Sequence, residues 1–318
     1  MLGVWRRSFS SRTEVLFFGS DVFAVQHLRA LVACGSVHVG NVVAPSSDKS
    51  LPVAAFASEH GLAIHEAKTD FRMTNWALPE GNFALGVVVS FGFKIPERVI
   101  RRFPLGMINV HPSLLPAYRG ASPIQSALLN GDQDTAVCVI DVDPDRVDSG
   151  CILGQTRTHI SSTDTFTSLR DRLGSLGSDL LLNIVANVPL ARQNCMPQVF
   201  SGALPRSAPK LKKSDAYVDF CSMDARRIGT IWRALFGNMV VHCNWRNKRL
   251  MLLMLKFDQN STPDCLLDPG EMVYDKNTDS IVIGCLGGTL LNVTELQVAT
   301  RKPCYALAFA HGYHIPRR

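Results

Sequence analysis

Ala84-Leu85-Gly86-Val87-Val88-Val89-Ser90 is the stretch that decides the fold. It has no apolar/polar alternation, so it does not read as a strand with one wet face. A short, continuous, Val-rich run is the mark of a strand buried on both faces of a parallel sheet. Parallel neighbours need crossovers, so helices should lie between this strand and the ones beside it. The flanking sequence supplies them. Upstream, Glu14–Phe18 (EVLFF) is a short apolar strand ending at Gly19, and Ser20 or Asp21 can cap a helix with apolar positions Val22, Val25, Leu28 and Val32. His38–Ala44 reads as a second strand and Pro52–His60 as a helix. Downstream, a helix opens at Pro96 and runs to Phe103, followed by strands at Met107–Val110 and Val137–Val142. Ser162-Thr163-Asp164 caps a further helix with apolar residues at 166, 169, 173, 176, 180 and 184. Alternation of this kind predicts an α/β domain with a mostly parallel sheet.

Beyond it the character changes. Gln193–Lys213 carries Pro197, Pro205 and Pro209 among cations, a linker composition. Met223–Leu235 is helical in pattern. Leu250–Phe257, Gly270–Tyr274, Ser280–Gly284 and Thr289–Glu295 are short strands broken by Gly, Asp and Asn, which predicts a small β-barrel. A length of 318 residues agrees with about two domains. With 46% apolar and 19% charged residues, disorder is excluded as the overall description. The longest apolar runs are far short of the roughly 20 residues that cross a bilayer as a helix.

Net charge is +6, unevenly spread. Residues 210–318 hold 15 Lys/Arg against 10 Asp/Glu, whereas 13–209 hold 15 against 17. A basic third beside a slightly acidic body suggests a polyanionic partner. The nine cysteines include no C-x-x-C, and the closest pair, Cys138 and Cys151, is thirteen apart. That argues against a disulfide framework or a zinc site and for a reducing compartment. Met1–Thr13 (MLGVWRRSFSSRT) is Arg-rich, Ser-rich and free of acids, the pattern of a mitochondrial presequence. The first strand is followed by Gly19-Ser20-Asp21-Val22-Phe23-Ala24, which lacks the dinucleotide fingerprint G-x-G-x-x-G.

Chemistry concentrates in Gly106–Gly120, GMINVHPSLLPAYRG. On a strand, Asn109 and His111 are two apart and share a face. Pro112 ends the ladder, so both groups lie near the C-terminal end of a parallel strand, where α/β folds bind ligands. An amide N–H there can stabilise an oxygen that gains negative charge, and an imidazole can accept a proton near neutral pH. Asp141, Asp143, Asp145 and Asp148 follow the next strand. One of them could orient the imidazole, but spacing does not choose among them.

The run NVHPSLLPAYRG resembles the N-x-H-x-S-L-L-P-x-x-R-G signature of folate-dependent formyltransferases, and Asp148-Ser149-Gly150 with Gln155 resembles that family's D-x-G loop. The early VLFFGS, FGFKIP at 91–96 and Ala121–Ile124 agree with it. Lys213–Ala216, Val218–Phe220 and the stretch Leu290–Tyr313 resemble the C-terminal part of methionyl-tRNA formyltransferases, including the mitochondrial type. The resemblance implies a Rossmann-like formyltransferase domain over 14–192 after a presequence at 1–13, a linker at 193–213 and an OB-like tRNA-binding barrel over 214–318. It implies Asn109, His111 and Asp148 as catalytic residues, with Asn109, assisted by His111, on the oxyanion. Ser113, Leu114, Leu115 and Pro116 become the loop that holds the reduced folate.

By the same resemblance the co-substrate is 10-formyltetrahydrofolate, with no metal, and the acceptor is initiator Met-tRNA in the mitochondrial matrix. A monomer without a membrane partner is expected. The tRNA-facing cations are Lys49, Lys210, Lys212, Lys213, Arg226, Arg227, Arg246, Lys248 and Arg249. Two departures stand out. The 45–51 loop is shorter than the basic insertion of bacterial relatives, and Leu235–Asn238 replaces their Pro-Trp-Pro run. The alternatives are another formyltetrahydrofolate-dependent transferase or hydrolase acting on a small molecule, and a non-catalytic RNA-binding relative.

Overall fold

The computed structural model describes residues 12–68, 70–199, 206–256 and 267–317. The expected presequence falls almost wholly outside them; Thr13, its last residue, already opens the first strand. The elements run β1 (Thr13–Gly19), α1 (Val22–Ala33), β2 (Val37–Ala44), α2 (Pro52–Glu59), β3 (Ala63–Glu66), β4 (Leu85–Val89), α3 (Glu97–Ile100), β5 (Met107–His111), β6 (Arg119–Gly120), α4 (Pro123–Asn130), β7 (Asp134–Asp141), β8 (Ile152–His159), α5 (Phe166–Val185), α6 (Val188–Gln193) and β9 (Ser207–Ala208). They continue with α7 (Ala225–Leu235), β10 (His242–Trp245), β11 (Lys248–Lys256), β12 (Met272–Asp275), β13 (Ser280–Cys285), β14 (Thr289–Val298), β15 (Cys304–Tyr305) and α8 (Ala306–Tyr313).

A seven-stranded sheet is ordered β3-β2-β1-β4-β5-β7-β8. Strand β4, the ALGVVVS run, is buried throughout and pairs in parallel with β1 and β5. The strands from β3 to β5 are parallel, whereas β7 pairs antiparallel with β5 and β8 antiparallel with β7. Asp21 caps α1, its carboxylate accepting from the Ala24 N–H. The buried face of α1 differs from the expected one. Val22 and Val32 are exposed, and Phe23, Ala24, His27, Leu28 and Leu31 face inward. A histidine on the inner face is the cause: its Nδ1 bonds the Phe23 carbonyl at 2.8 Å, and burial drives its pKa down to about 4, so the ring stays neutral. At α5, the start signal is Thr165 rather than 162–164: Thr165 Oγ1 accepts from the Ser168 N–H, while Asp164 Oδ2 accepts from the Ser161 N–H.

The second sheet is six-stranded and antiparallel, ordered β10-β11-β14-β13-β12 with β15 on β14. This is the small β domain expected of the C-terminal third. Its core holds Ile228, Ile231, Trp232 and Leu235 of α7, at helical spacing, with Leu250, Leu252, Ile281, Ile283, Val293 and Phe309. Each such side chain contributes about 1.5–3 kcal/mol of burial.

The chain divides into two compact units, both discontinuous in sequence. One comprises the chain up to Pro123 with Asp134–His159 and Arg170–Ala208. The other comprises Ile124–Gln133, Ile160–Leu169 and Pro209–Arg318. Cys151 and Cys195, 44 residues apart, form a disulfide, which the cysteine spacing argued against. Residues in the proline-bearing 193–213 segment also take regular partners: Met196 exchanges both backbone bonds with Ile152 at 2.8 Å, and β9 pairs with β6. No helix of the described residues is long and apolar enough to cross a membrane.

Candidate active site

Strand β5 delivers Asn109 and His111 on one face, opposite Ile140 and Cys138 of β7. The loop after β7 folds back over that face and presents Asp148. Asn109 Nδ2 donates to Asp148 Oδ1 at 3.1 Å. Asp148 Oδ2 accepts the Gly120 N–H at 2.9 Å and lies 3.6 Å from His111 Nδ1. The three expected catalytic residues are therefore one cluster, within which His111 is buried and Asn109 and Asp148 are half-buried.

The hydrogen-bond inventory fixes which atoms can donate and which can accept. The Asn109 amide has a second N–H, a donor suited to an outside oxygen. His111 Nε2 lies 3.0 Å from the Tyr118 carbonyl, which can only accept, so Nε2 carries a proton. That leaves Nδ1 as the basic atom of the neutral ring, facing the carboxylate. With Nε2 committed to Tyr118, the ring is not presented as a second oxyanion donor, the assisting role expected of it.

Only one of the four loop acids faces the imidazole. Asp141 is paired with Arg192, whose Nη2 and Nε approach its Oδ1 at 2.7 and 2.9 Å. Asp143 closes the loop, accepting the backbone N–H groups of Asp145 and Arg146, and those bonds hold its carboxyl below the usual range. Asp145 is exposed. Asp148 alone turns inward, on a backbone with φ of 54°, which is uncommon for a residue with a side chain. Gly150 sits flush against the Asp141 backbone, so close that no side chain fits.

The 113–118 loop folds on itself. Leu115 N–H reaches the Ser113 carbonyl, Ser113 Oγ donates to the Ala117 carbonyl at 2.8 Å, and the Leu115–Pro116 bond is cis. Ser113 and Leu115 are buried, Leu115 against Cys138, Ile140 and Ile152. Leu114 and Pro116 are half-buried. Beneath them the Cys138 thiol donates to the Ser113 carbonyl and accepts from the Gln155 amide; burial raises its pKa, so it stays protonated. No group of three or more His, Cys, Asp or Glu among the described residues could hold a metal ion.

The nine basic candidates are all exposed. Lys210, Lys212 and Lys213 lead into the turn at Lys213–Ala216, beside α7, which carries Arg226 and Arg227. Arg246, Lys248 and Arg249 share the β10–β11 hairpin, where Arg246 stacks on Trp245 and donates to the Tyr313 carbonyl. Lys49 lies in the loop between β2 and α2, in the other unit.

One residue beside the cluster escaped the sequence, and Arg119 was visible there only as part of the signature run, with no role assigned. Gln198 donates from Nε2 to the carbonyls of Asp148 (3.0 Å) and Gly150 (2.8 Å), and its Oε1 accepts from Arg119 Nε and Nη2 at 3.0 and 2.6 Å. Burial lowers the Arg119 pKa, and the nearby Asp148 carboxylate opposes that shift. A glutamine in a proline-bearing stretch carries no signal for such a role.

Residues 44–185 match the formyl transferase family model and 210–314 the formyl transferase C-terminal domain model. The mitochondrial methionyl-tRNA formyltransferase of Homo sapiens is 30% identical over 95% of this chain and 78% of its own length. The methionyl-tRNA formyltransferase of Chloroflexus aggregans is 31% identical over 95% of this chain and 98% of its own. Among solved structures, HypX from Aquifex aeolicus superposes with a TM-score of 0.64 at 14% identity over 97% of this chain, which spans about half of that protein (50%). The sugar 3N-formyl transferase WlaRD superposes with a TM-score of 0.60 at 15% identity, over 91% of this chain and 98% of its own.

Proposed function

This chain belongs to the methionyl-tRNA formyltransferase family, and we propose that the Asn109–His111–Asp148 cluster is where it works. The enzyme transfers the formyl group of 10-formyltetrahydrofolate to the α-amino group of methionine esterified to tRNA. The neutral amine attacks the formyl carbon. A C–N bond forms, and the carbonyl electron pair moves to oxygen. Asn109 donates its second N–H to that oxyanion, worth roughly 10²–10³ in rate for a well-aimed donor. The amine's proton passes to the Asp148–His111 pair. Nδ1 of His111 is the basic atom, and Asp148 Oδ2 at 3.6 Å stabilises the imidazolium that forms. Collapse of the intermediate breaks the bond to the folate nitrogen, which leaves with the proton held by the pair. The single observation that carries this assignment is Asp148, whose two oxygens face Asn109 and His111 at once.

Leu114 and Pro116, on the surface of a loop anchored by Ser113 and Leu115, hold the reduced folate. The exposed cations of the C-terminal third take the tRNA backbone, and the protein acts as a monomer. The enzyme serves the mitochondrial matrix, a reading supported by the basic, acid-free N-terminus and by the mammalian relatives; bacterial relatives are equally similar. Labelled 10-formyltetrahydrofolate offered to Met-tRNA, free methionine and glycinamide ribonucleotide together tests the reaction. Label must go to Met-tRNA; formate release alone would make the enzyme a hydrolase. Residues 1–13 fused to a reporter must carry it to mitochondria, and Arg6, Arg7 and Arg12→Glu must abolish that.

A further inference from the structure

We infer that Gln198 is a positioning residue for Asp148: it fixes the backbone of the catalytic loop and couples that loop to Arg119. The inference rests on the reading of Asp148 as catalytic. Every hydrogen-bonding site of the Gln198 amide is used. Its two N–H groups go to the carbonyls of Asp148 and Gly150, and its oxygen takes two N–H groups of Arg119. The amide has only one possible orientation, because carbonyls cannot donate and a guanidinium cannot accept.

What those bonds hold is the part of the site least able to hold itself. Asp148 stands at positive φ, a conformation that persists only where the surroundings impose it. Two bonds to the carbonyls on either side of Ser149 clamp that turn. On the opposite side, Arg119 adjoins Gly120, whose N–H binds Asp148 Oδ2. One amide thus joins the backbone that carries the carboxylate to the segment that grips its side chain.

Gln198 is itself delivered by a strap. Cys195 is bonded to Cys151, and Met196 exchanges two backbone bonds with Ile152. The strap follows the loop's own exit, so Gln198 is held in register with Asp148, 50 residues away in sequence. The 193–213 segment, a linker by composition, therefore has an active-site duty at its start.

The test uses two substitutions that keep side-chain length. Gln198→Glu retains an acceptor for Arg119 but turns a carboxylate toward two carbonyl oxygens. Gln198→Met retains bulk and makes none of the four bonds. Both should lower single-turnover formyl transfer roughly 10–100-fold, the scale of a misplaced catalytic group, with KM for 10-formyltetrahydrofolate and Met-tRNA within about twofold. In an Asp148→Asn background, Gln198→Met should cost less than about threefold, because the two act as a unit. Thermal unfolding of each variant shows whether it is folded, and if one does not fold the other decides. A Gln198→Glu enzyme with wild-type turnover, an effect confined to KM, or full additivity with Asp148→Asn would overturn the inference. If Asp148→Asn itself keeps wild-type turnover, the catalytic reading has failed; if it is inactive while the Gln198 variants are unaffected, only the inference has.

Discussion

Gly150→Ala should be among the most damaging substitutions of a small residue in this enzyme. The glycine has no need of left-handed backbone, since it is absent from the positive-φ positions. Its constraint is proximity. A Cβ built at Gly150 would lie 2.7 Å from the Asp141 carbonyl carbon, 3.3 Å from its Cα and closer still to the carbonyl oxygen, where ordinary contact begins near 3.4 Å. Asp141 cannot yield, because it ends β7 and its N–H is bonded to the Cys151 carbonyl at 3.0 Å. The loop must therefore retreat by more than ~1 Å, two residues from Asp148, and a displacement of about 1 Å can already cost roughly 100-fold in rate. That corresponds to about 2.7 kcal/mol of barrier. Overpacking also costs stability, about 1–3 kcal/mol. The assay is single-turnover formyl transfer to Met-tRNA at saturating substrates, with 5-formyltetrahydrofolate binding measured by calorimetry. Gly35→Ala is the control, since that site has open space around it. A Gly150→Ala enzyme with turnover within threefold of wild type and unaltered melting would refute the reasoning.

Asn109→Ala should lower turnover roughly 10²–10³-fold by removing the proposed oxyanion donor. His111→Ala and Asp148→Ala should each be severe, with the double variant little worse than the worse single in rapid-quench kinetics. For His27, folding keeps the ring's pKa near 4 against an ordinary 6.5. Above 6.5 both folded and unfolded chains are neutral and stability is complete; between 6.5 and 4 only the unfolded chain binds the proton, so roughly 3 kcal/mol is lost as pH falls, and urea unfolding of His27→Leu should lack that component. Lys210, Lys212 and Lys213→Ala should flatten the logarithmic salt dependence of Met-tRNA affinity by up to about 2–3 units if all three touch phosphate. Binding measured from 50 to 300 mM salt that shows identical slopes would remove them from the tRNA path.

The parts of the fold that were legible in the chain are those in which one physical requirement dominates. The apolar run within 84–90 reads as a doubly buried strand, and Leu85–Val89 is one; Ile228, Ile231, Trp232 and Leu235 share one helical face and one core. Strand direction was not legible: the apolar run Val137–Ile140 looks the same whichever way it enters the sheet, and it enters antiparallel to β5. The inner face of α1 was misassigned because His27, a polar type, occupies it as a neutral ring. At the site, Asn109 and His111 were visible through period-two spacing. Asp148 was separated from its three acidic neighbours only by family resemblance, since the distinction lies in loop conformation. Gln198 was invisible because its partners are backbone carbonyls 48 and 50 residues away and the Arg119 side chain 79 residues away, relations that no local pattern encodes.

The interleaving of the two compact units has a consequence for how the chain is born. A ribosome releases roughly 5–20 residues per second, N-terminus first. Residues 124–133 and 160–169 emerge early but belong to the unit completed only by 209–318. Leu129 packs against a cluster whose members begin at Ala216 and end at Ile315. It waits without that cover for about 10–40 seconds at those rates. A polypeptide stopped at residue 208 would never acquire it. Premature termination in the last third therefore leaves residues 124–133 and 160–169 without the rest of their unit, and chaperone engagement during synthesis should peak between the release of residue 133 and the arrival of α8.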